Sequence, residues 1–484
     1  MTELAPNKKE IEVSESDIPL IVDVDGTLLN GDLSVETILR LIADRPAKLP
    51  HAVWHWARSG KAGLKQFLAS EVSVDVTSIP FNPDIRSIVQ TARDQGRDIY
   101  LASASDETLV QQIADRLGPF CGHFASDGAC NLSGAQKAHR LCATFGEKGF
   151  DYAGNSAADL PVWERARKAI VVGNGIAGRA RKVGDVEQVV PDAPDIRAYL
   201  GALRPHQWLK NVLIFVPMLA AHALAWETLA ASLLAFAAFS LCASSAYLLN
   251  DLLDLPHDRA HPRKARRPIA SGQTPLAHAM LGVPLLLVGA FAIALTALPM
   301  AFVGLLLGYL VATLVYSLSL KEVAVVDILT LGGLYTLRVL AGGAATGIAI
   351  SHWLLAFTML LFLSLAIVKR LIELVDAGDQ GKRDLGGRGY RADDLQVMGQ
   401  LAGASGYGAV IVLALYITSD QVLQGYAQPE FLWGVCVLLL YWISRVLMIA
   451  HRGEMHDDPV LFAATDRVSL GVAGAAGALV LVAA

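Results

Sequence analysis

Charge is scarce in this sequence. Asp, Glu, Lys and Arg make up only 18% of its 484 residues, against 54% hydrophobic, which is more apolar than an ordinary soluble domain carries. A membrane portion is therefore expected. The formal net charge of -5 gives no electrostatic reason to invoke nucleic acid. Cysteine is sparse too. The five residues Cys121, Cys130, Cys142, Cys242 and Cys436 show no paired metal-ligand spacing, and an odd, scattered set argues for reduced thiols rather than a disulfide framework. The opening MTELAPNKKEIEVSESD lacks the apolar core and small-residue cleavage site of a secretory signal, so the N-terminal part is expected to stay in the cytoplasm.

What is present is unevenly placed. Residues 1 to about 205 mix charge, Gly and short apolar runs, whereas the remainder is dominated by long Leu, Ala, Val and Phe stretches. Two modules are expected, at 1–200 and 201–484. A helix needs about 20 mainly apolar residues to cross a bilayer, and about nine candidates of that size follow Lys210. They centre near Val216, Phe239, Leu287, Leu307, Leu334, Leu361, Ile411, Leu438 and Ala475. Alternate loops hold Arg263, Lys264, Arg266, Arg267, Lys321, Lys382, Arg383, Arg388 and Arg452. The positive-inside rule makes that face cytoplasmic.

The segment AYLLNDLLDLPHDRAHPRKARRPIASG, Ala246 to Gly272, carries the most chemistry. Asn250, Asp251, Asp254 and Asp258 recur at three- and four-residue steps, which a continuing helix would place along one face. Clustered acids repel unless a cation joins them, and hard oxygen ligands open to water suit Mg²⁺, which accepts phosphate oxygens as its remaining ligands. Arg259, Arg263, Lys264, Arg266 and Arg267 would hold a diphosphate. The basic cluster alone equally fits a solvated loop obeying the positive-inside rule. The acids need another explanation, since acids contribute little to topology.

NDLLDLPHDR resembles the N-D-x-x-D-x-x-x-D motif of the UbiA superfamily, helical-bundle membrane enzymes that cleave an activated diphosphate with Mg²⁺. LRPHQWLKN at 203–211, HPRKARRPIASG and DPVLFAATDR at 458–467 narrow the resemblance to the decaprenyl-phosphate phosphoribosyltransferase branch. It implies transfer of 5-phosphoribose from phosphoribosyl diphosphate to a polyprenyl phosphate at a lipid bilayer. The ionised acceptor phosphate needs no general base. Lys210, Lys321, Asp327, Arg338, Lys369, Arg370 and Glu373 lie in or near the spans, where ionisable groups are costly and usually serve a cavity. All but Asp327 are taken as candidate substrate contacts, with interface snorkelling as the bland alternative for Lys321. Lys369, Arg370 and Glu373 fall near one helical face. Quinone- and haem-type relatives usually carry a second Asp-rich motif. In KRLIELVDAGDQGKRD at 369–384, Glu373, Asp376, Asp379 and Asp384 do not repeat its spacing, which favours phosphoribosyl transfer over prenylation of an aromatic or small-molecule acceptor.

In the first module PLIVDVDGTLL, residues 19–29, reads as a buried parallel strand delivering two carboxylates at its C-terminal end. It resembles the first motif of the haloacid-dehalogenase (HAD) superfamily. Ser103 after DIYLAS, Lys137 in GAQK and GNSAADLPVW at 154–163 supply the companions in order. The resemblance implies a Rossmann-like α/β phosphatase domain with a helical cap, over about 33–80. Asp23 would be the nucleophile and Asp25 the acid/base, Ser103 and Lys137 would bind the phosphoryl group, and Asn155 and Asp159 would join the two aspartates around Mg²⁺. Asn155 departs from the family's usual Gly-Asp. Trp54 and Trp56 are expected beneath the cap or at a membrane interface. Beside a catalytic phosphatase stand two other readings, a HAD-fold domain kept for regulation, and a non-catalytic transporter or scaffold. The expected whole is thus a cytoplasmic α/β domain joined to an all-α multi-pass bundle in the inner membrane, making a lipid-linked ribose donor.

Overall fold

Alternation of apolar side chains over Leu20–Asp23 fills both faces of a strand, and this strand becomes the centre of a sheet. In the computed structural model, residues 17–483 are described, apart from 77, 119, 128–130, 192–194, 380–387, 420–421, 423–425 and 456–457. The strands are β1 (Leu20–Asp23), β2 (Ile99–Asp106), β3 (Gly122–Ser126), β4 (Asp151–Gly154), β5 (Ala169–Val172) and β6 (Val186–Val190). They form one six-stranded sheet in the order β3-β2-β1-β4-β5-β6, with every pairing parallel. Leu20 pairs with Ile99 on one side and Asp151 on the other. β1 is thus the point where the winding reverses, and ligands of open α/β sheets bind beyond the carboxyl end of such strands. Val22 packs with Leu101 and Ile85 on one face, while Ile21 packs with Phe150 and Trp163 on the other. This is the α/β fold that the HAD resemblance implies.

The segment expected to form a cap holds a pair of helices, Leu33–Asp44 and Leu49–Glu71, with Asp32 accepting the backbone N–H of Ser34 and Val35 at the start of the first. Leu41, Ala52, Leu68 and Val72 make its own small core. Trp54 and Trp56 do not lie beneath the cap. They are 52% and 54% exposed, whereas Ala52 and Leu68 of the same helix are buried.

By its internal contacts the chain divides into one unit of Met1–Ala202 with Leu248–Gly282 and another of Leu203–Tyr247 with Val283–Ala484. A single cut between residues 200 and 201 does not describe this division, because the Asp-rich segment groups with the sheet. Within the first unit, the Arg259 guanidinium donates to Glu36 Oε1 at 2.6 Å and to Ala270 O at 3.3 Å. Tyr199 and His278 meet at 2.6 Å. Gly272, at φ +76, runs so close to Asn30 that a Cβ would lie 2.6 Å from its carbonyl oxygen, so any larger residue would force the two backbones apart.

The described residues contain seven helices long and apolar enough to cross a membrane, starting with Trp226–Leu253 and ending with Pro429–His451. A bent pair, Pro459–Thr465 and Arg467–Ala483, would make an eighth. The expectation of nine is corrected at two places. The pair around Ala475 is broken by 76°. The segment around Val216 is a 3₁₀ stretch, Pro205–Phe215, followed by the short helix Val216–Ala220. Buried Lys210 and Asn211 and the imino nitrogen of Pro217 interrupt a regular apolar helix there. At about 2.0 Å per 3₁₀ residue and 1.5 Å per α residue, this stretch still extends roughly 30 Å, the thickness of a hydrocarbon core. Its fit against Val326–Thr346 leaves no room for a side chain at Gly342, whose Cβ would sit 2.0 Å from Ile214 O. The loops with Arg263, Lys321, Arg388 and Arg452 still alternate with loops lacking Lys and Arg; Lys382, Arg383 and Asp384 lie outside the described residues, as does Cys130.

Candidate functional sites

Asp23 ends β1, and Asp25 follows after one residue in the turn closed by the Gly26 N–H to Gly31 O bond of 2.9 Å. Gly26 has φ +71, and a Cβ there would strike the Asn155 amide at 2.1 Å. The DxDG turn and the loop after β4 are therefore brought into direct apposition, as a two-loop phosphate site requires. Lys137 Nζ donates to Asp23 Oδ1 at 2.8 Å and to the Tyr152 hydroxyl at 2.9 Å. Burial pushes the Asp23 carboxyl up to about 7 against the pull of Lys137, with Asp159 adding to the rise. Burial would lower the Lys137 ammonium, but Asp23 and Asp159 together hold it above its usual range.

Asp25 is held differently. Leu33 N–H donates to its Oδ1 at 2.8 Å, and the Ser103 and Ser105 hydroxyls donate to its Oδ2 at 2.9 and 2.7 Å. Burial and then the nearby Asp32 charge raise its pKa, partly offset by those three donors. A carboxyl so raised suits an acid that lends and recovers a proton. Ser105 and Tyr152 escaped the sequence reading, the first because Ser103 alone fits the family pattern and the second because a strand tyrosine reads as core.

Asp159, expected among the metal ligands, is engaged in hydrogen bonds that fix the loop after β4. Its Oδ2 accepts the N–H groups of Asn155 and Ser156 and the Ser156 hydroxyl at 3.0–3.1 Å, and its Oδ1 accepts the Tyr152 hydroxyl at 2.8 Å. Both oxygens are spent on fixing the loop and, through Tyr152, on steadying Lys137. Among the described residues no three His, Cys, Asp or Glu side chains converge on a metal position. In this site Asp23, Asp25 and the Asn155 amide remain as oxygen donors.

The Asp-rich segment follows the helix Trp226–Leu253, with Asp254 leading into the short helix Leu255–Ala260. Asp251 and Asp258 are buried and converge on one cation. Arg267 Nη1 lies 2.5 Å from Asp258 Oδ2 and 3.2 Å from Asp251 Oδ1. Lys264 approaches Asp258 at 3.8 Å, and the Asn250 amide donates to Asp254 Oδ2 at 3.0 Å. A single guanidinium nitrogen between two buried carboxylates marks a position where positive charge is required, and the donor set, all hard oxygen, suits Mg²⁺. Arg263, Lys264 and Arg266 are exposed beside it. Arg259 is not available to a phosphate, because Glu36 and Ala270 O hold it.

The second unit holds two further clusters. Asp458, which caps the helix Pro459–Thr465, accepts Lys210 Nζ at 2.8 Å and Lys369 Nζ at 3.1 Å, with the Tyr335 hydroxyl at 3.4 Å. Burial would raise the Asp458 pKa, but the charges of Lys369 and Lys210 outweigh it and hold the carboxyl well below the usual range. Two ammonium groups on one carboxylate leave a net positive charge, the mark of an anion site. Asp458 itself was legible only as part of DPVLFAATDR.

Arg370 is fully buried. It reaches Asp327 at 2.5 and 2.9 Å, Glu373 at 2.6 and 2.7 Å and the Tyr316 hydroxyl at 2.8 Å. Arg388 closes the network at 3.4 Å from Glu373 and 3.6 Å from Asp327. Lys369, Arg370 and Glu373 therefore do not act as one substrate-facing set. Arg370 and Glu373 satisfy each other, and Lys369 alone joins Asp458. Arg338 is likewise enclosed, donating to Asn211 Oδ1 at 2.8 Å, Leu334 O at 2.6 Å and Tyr309 at 3.2 Å, with the rings of Tyr309 and Tyr335 about it. Lys321 sits half-buried in the turn Leu320–Glu322.

A protein of Sinorhizobium fredii (strain NBRC 101917 / NGR234) designated y4nM is 35% identical over 466 residues, 95% of this chain and 90% of that protein. The decaprenyl-phosphate phosphoribosyltransferase of Mycobacterium tuberculosis (strain CDC 1551 / Oshkosh) is 38% identical over 189 residues, 38% of this chain and 62% of that enzyme. A solved UbiA homolog from Archaeoglobus fulgidus bound to GPP and Mg²⁺ aligns with a TM-score of 0.45 and 16% identity, over 59% of this chain and 99% of that one. Residues 212–383, which hold the Asn250 to Asp258 motif, match the model of the UbiA prenyltransferase family. Sequence kinship over nearly the whole chain and the acidic segment at its defining position lead to one statement: the chain belongs to the UbiA prenyltransferase family.

Proposed function

We propose that the protein transfers 5-phosphoribose from phosphoribosyl diphosphate to a polyprenyl phosphate, and that its first unit then removes the 5-phosphate of the lipid-linked product. The observation that carries the first half is the convergence of Asp251 and Asp258 on Arg267 in a chain related to a mycobacterial phosphoribosyltransferase. Asn250, Asp251, Asp254 and Asp258 would hold Mg²⁺, which when bound neutralises the departing diphosphate and lowers the barrier to C1–O cleavage. Arg267, once displaced from the acids, would turn with Arg263, Lys264 and Arg266 towards diphosphate oxygens. The acceptor phosphate attacks already ionised, so no general base is needed. Lys210 and Lys369, which share Asp458, are the candidates for binding phosphate in the second unit.

Against aromatic prenylation stands the closed Asp327, Arg370, Glu373 and Arg388 network. Glu373 is committed to two arginines and so is poorly placed to found a second metal site.

In the first unit the Asp23 carboxylate would attack phosphorus and form an aspartyl-phosphate. Asp25 would give its proton to the leaving ester oxygen, then take one from the water that hydrolyses the intermediate. Lys137 would balance the phosphoryl charge. Alternation of Lys- and Arg-bearing loops supports a cytoplasmic first unit. The test is incubation of purified full-length protein with labelled phosphoribosyl diphosphate, polyprenyl phosphate and Mg²⁺. A labelled lipid is expected, and Asp23→Asn should make it accumulate with its 5-phosphate retained. Absence of any labelled lipid rejects the transferase, and an unphosphorylated lipid product from Asp23→Asn rejects the phosphatase.

A further inference from the structure

A cavity of about 450 Å³ opens above the DxDG turn, lined by Asp25, Gly26 and Asn155 at its base. Its walls bear Asn30, Asp32, Asn82, Asp84 and Asp195, and a third side is formed by Gly272, Gln273, Pro275, Leu276 and Ala277. That third side belongs to the segment that also carries the Asp-rich motif, and Gly272 presses it against Asn30. Beside the apolar Pro83, Val172, Pro191, Pro275 and Leu276, the polar lining consists of carboxylates and amides, with no Lys, Arg or aromatic residue among those described. Each lining chemistry excludes something. Without cations, a second phosphate would not be held inside the cavity. Without a ring to stack on, a nucleobase gains little. Carboxylates and amides are instead acceptors and donors for hydroxyl groups, and a site built to bond hydroxyls strongly disfavours ligands lacking them.

Resting on the phosphatase reading above, we infer that this cavity selects phosphomonoesters of an uncharged, hydroxyl-rich group, a sugar phosphate, with Gln273 and Asp84 as specificity-determining residues. The side chain at Gln273 comes from the membrane-family portion of the sequence, so specificity of the phosphatase site is set by a residue outside the phosphatase-like module. Any second phosphate on the substrate, such as a lipid phosphodiester, stays outside the cavity. The reaction is hydrolysis of the P–O ester bond, with water supplying the oxygen to phosphate and the proton to the sugar hydroxyl.

The test uses the full-length protein with Mg²⁺ and follows inorganic phosphate from ribose 5-phosphate, 2-deoxyribose 5-phosphate, AMP and p-nitrophenyl phosphate. Ribose 5-phosphate is expected to exceed AMP in kcat/KM. Loss of the 2-hydroxyl should cost roughly three- to tenfold, the worth of one neutral hydrogen bond. Gln273→Ala should cut the preference for ribose 5-phosphate over p-nitrophenyl phosphate by a similar factor through KM, and the exposed Asp84→Ala gives a second variant should the first fold poorly. Turnover of p-nitrophenyl phosphate without preference for the sugar, or a preference unchanged in both variants, overturns this inference and leaves the phosphatase standing. No phosphate from any of the four overturns the phosphatase itself.

Discussion

Arg267 and Asp258 form a contact of 2.5 Å through an Nη1 atom that also lies 3.2 Å from Asp251. The arginine supplies the positive charge that two neighbouring buried carboxylates demand. A divalent ion would make that same charge redundant. Arg267→Met should therefore leave a protein whose thermal stability depends on Mg²⁺, rising by a few degrees at millimolar metal, where wild type shifts little. Scanning fluorimetry with and without Mg²⁺ measures it. No metal-dependent shift in the variant would mean the acids do not bind the ion.

Asp251→Asn and Asp254→Asn should each lower phosphoribosyl transfer on the order of 100-fold or more, since each removes an anionic ligand from the metal that stabilises the leaving group. Phosphate release from ribose 5-phosphate should persist in both. The two assays run on one preparation separate loss of chemistry from loss of fold.

Glu36 and Arg259 are an ion pair with both side chains about 95% withdrawn from water, at 4% and 5% exposure. Breaking such a pair from one side leaves a buried charge uncompensated, at about 3–5 kcal/mol. Glu36→Met is expected to show that loss in chemical denaturation, and Glu36→Met with Arg259→Met to recover most of it.

Asp458 gives the pH dependence. Its native pKa is depressed, so as pH falls the unfolded chain takes up this proton first. The stabilisation it confers is complete above about pH 4 and is lost as pH drops towards the native value. Asp458→Asn should remove that acid-sensitive component, and should destabilise at neutral pH because Lys210 and Lys369 lose their shared partner. Denaturation of the detergent-solubilised protein between pH 3 and pH 7, values chosen about the ordinary Asp range, reads both effects.

Asn155→Asp places beside Gly26 the carboxylate that the HAD motif resemblance leads one to expect there. The concentration of Mg²⁺ giving half-maximal phosphatase activity should fall about tenfold. An unchanged metal requirement would place the ion away from Asn155.

The sequence was most legible where chemistry is local. DVDGT announces a strand end with two carboxylates, and Asn250 to Asp258 announces an acidic helix face, because both depend on spacing within a few residues. Partners distant in the chain were not legible. Nothing local says that Lys369 will meet Asp458 while its neighbour Arg370 meets Asp327, since adjacent helical residues point about 100° apart and each finds its own neighbour. Asp159 shows the same limit. Its fourth-position spacing after Asn155 reads equally as a metal ligand or as a loop clamp, and nothing local announces the Tyr152 hydroxyl that donates to it. The region near Val216 failed on period, because a 3₁₀ rise covers the same distance with fewer residues than a hydropathy window expects.

The first unit is assembled from two stretches of chain separated by Leu203–Tyr247. A ribosome that has synthesised only the first 202 residues has made the sheet and its aspartates but neither the partner of Glu36 nor the wall bearing Gln273. Completion of the first unit must then wait for translation past Gly282, so a fragment ending near Ala202 would emerge as a domain with an open flank and an uncompensated acid, and this unit could not be inherited apart from the rest of the chain without rebuilding that side.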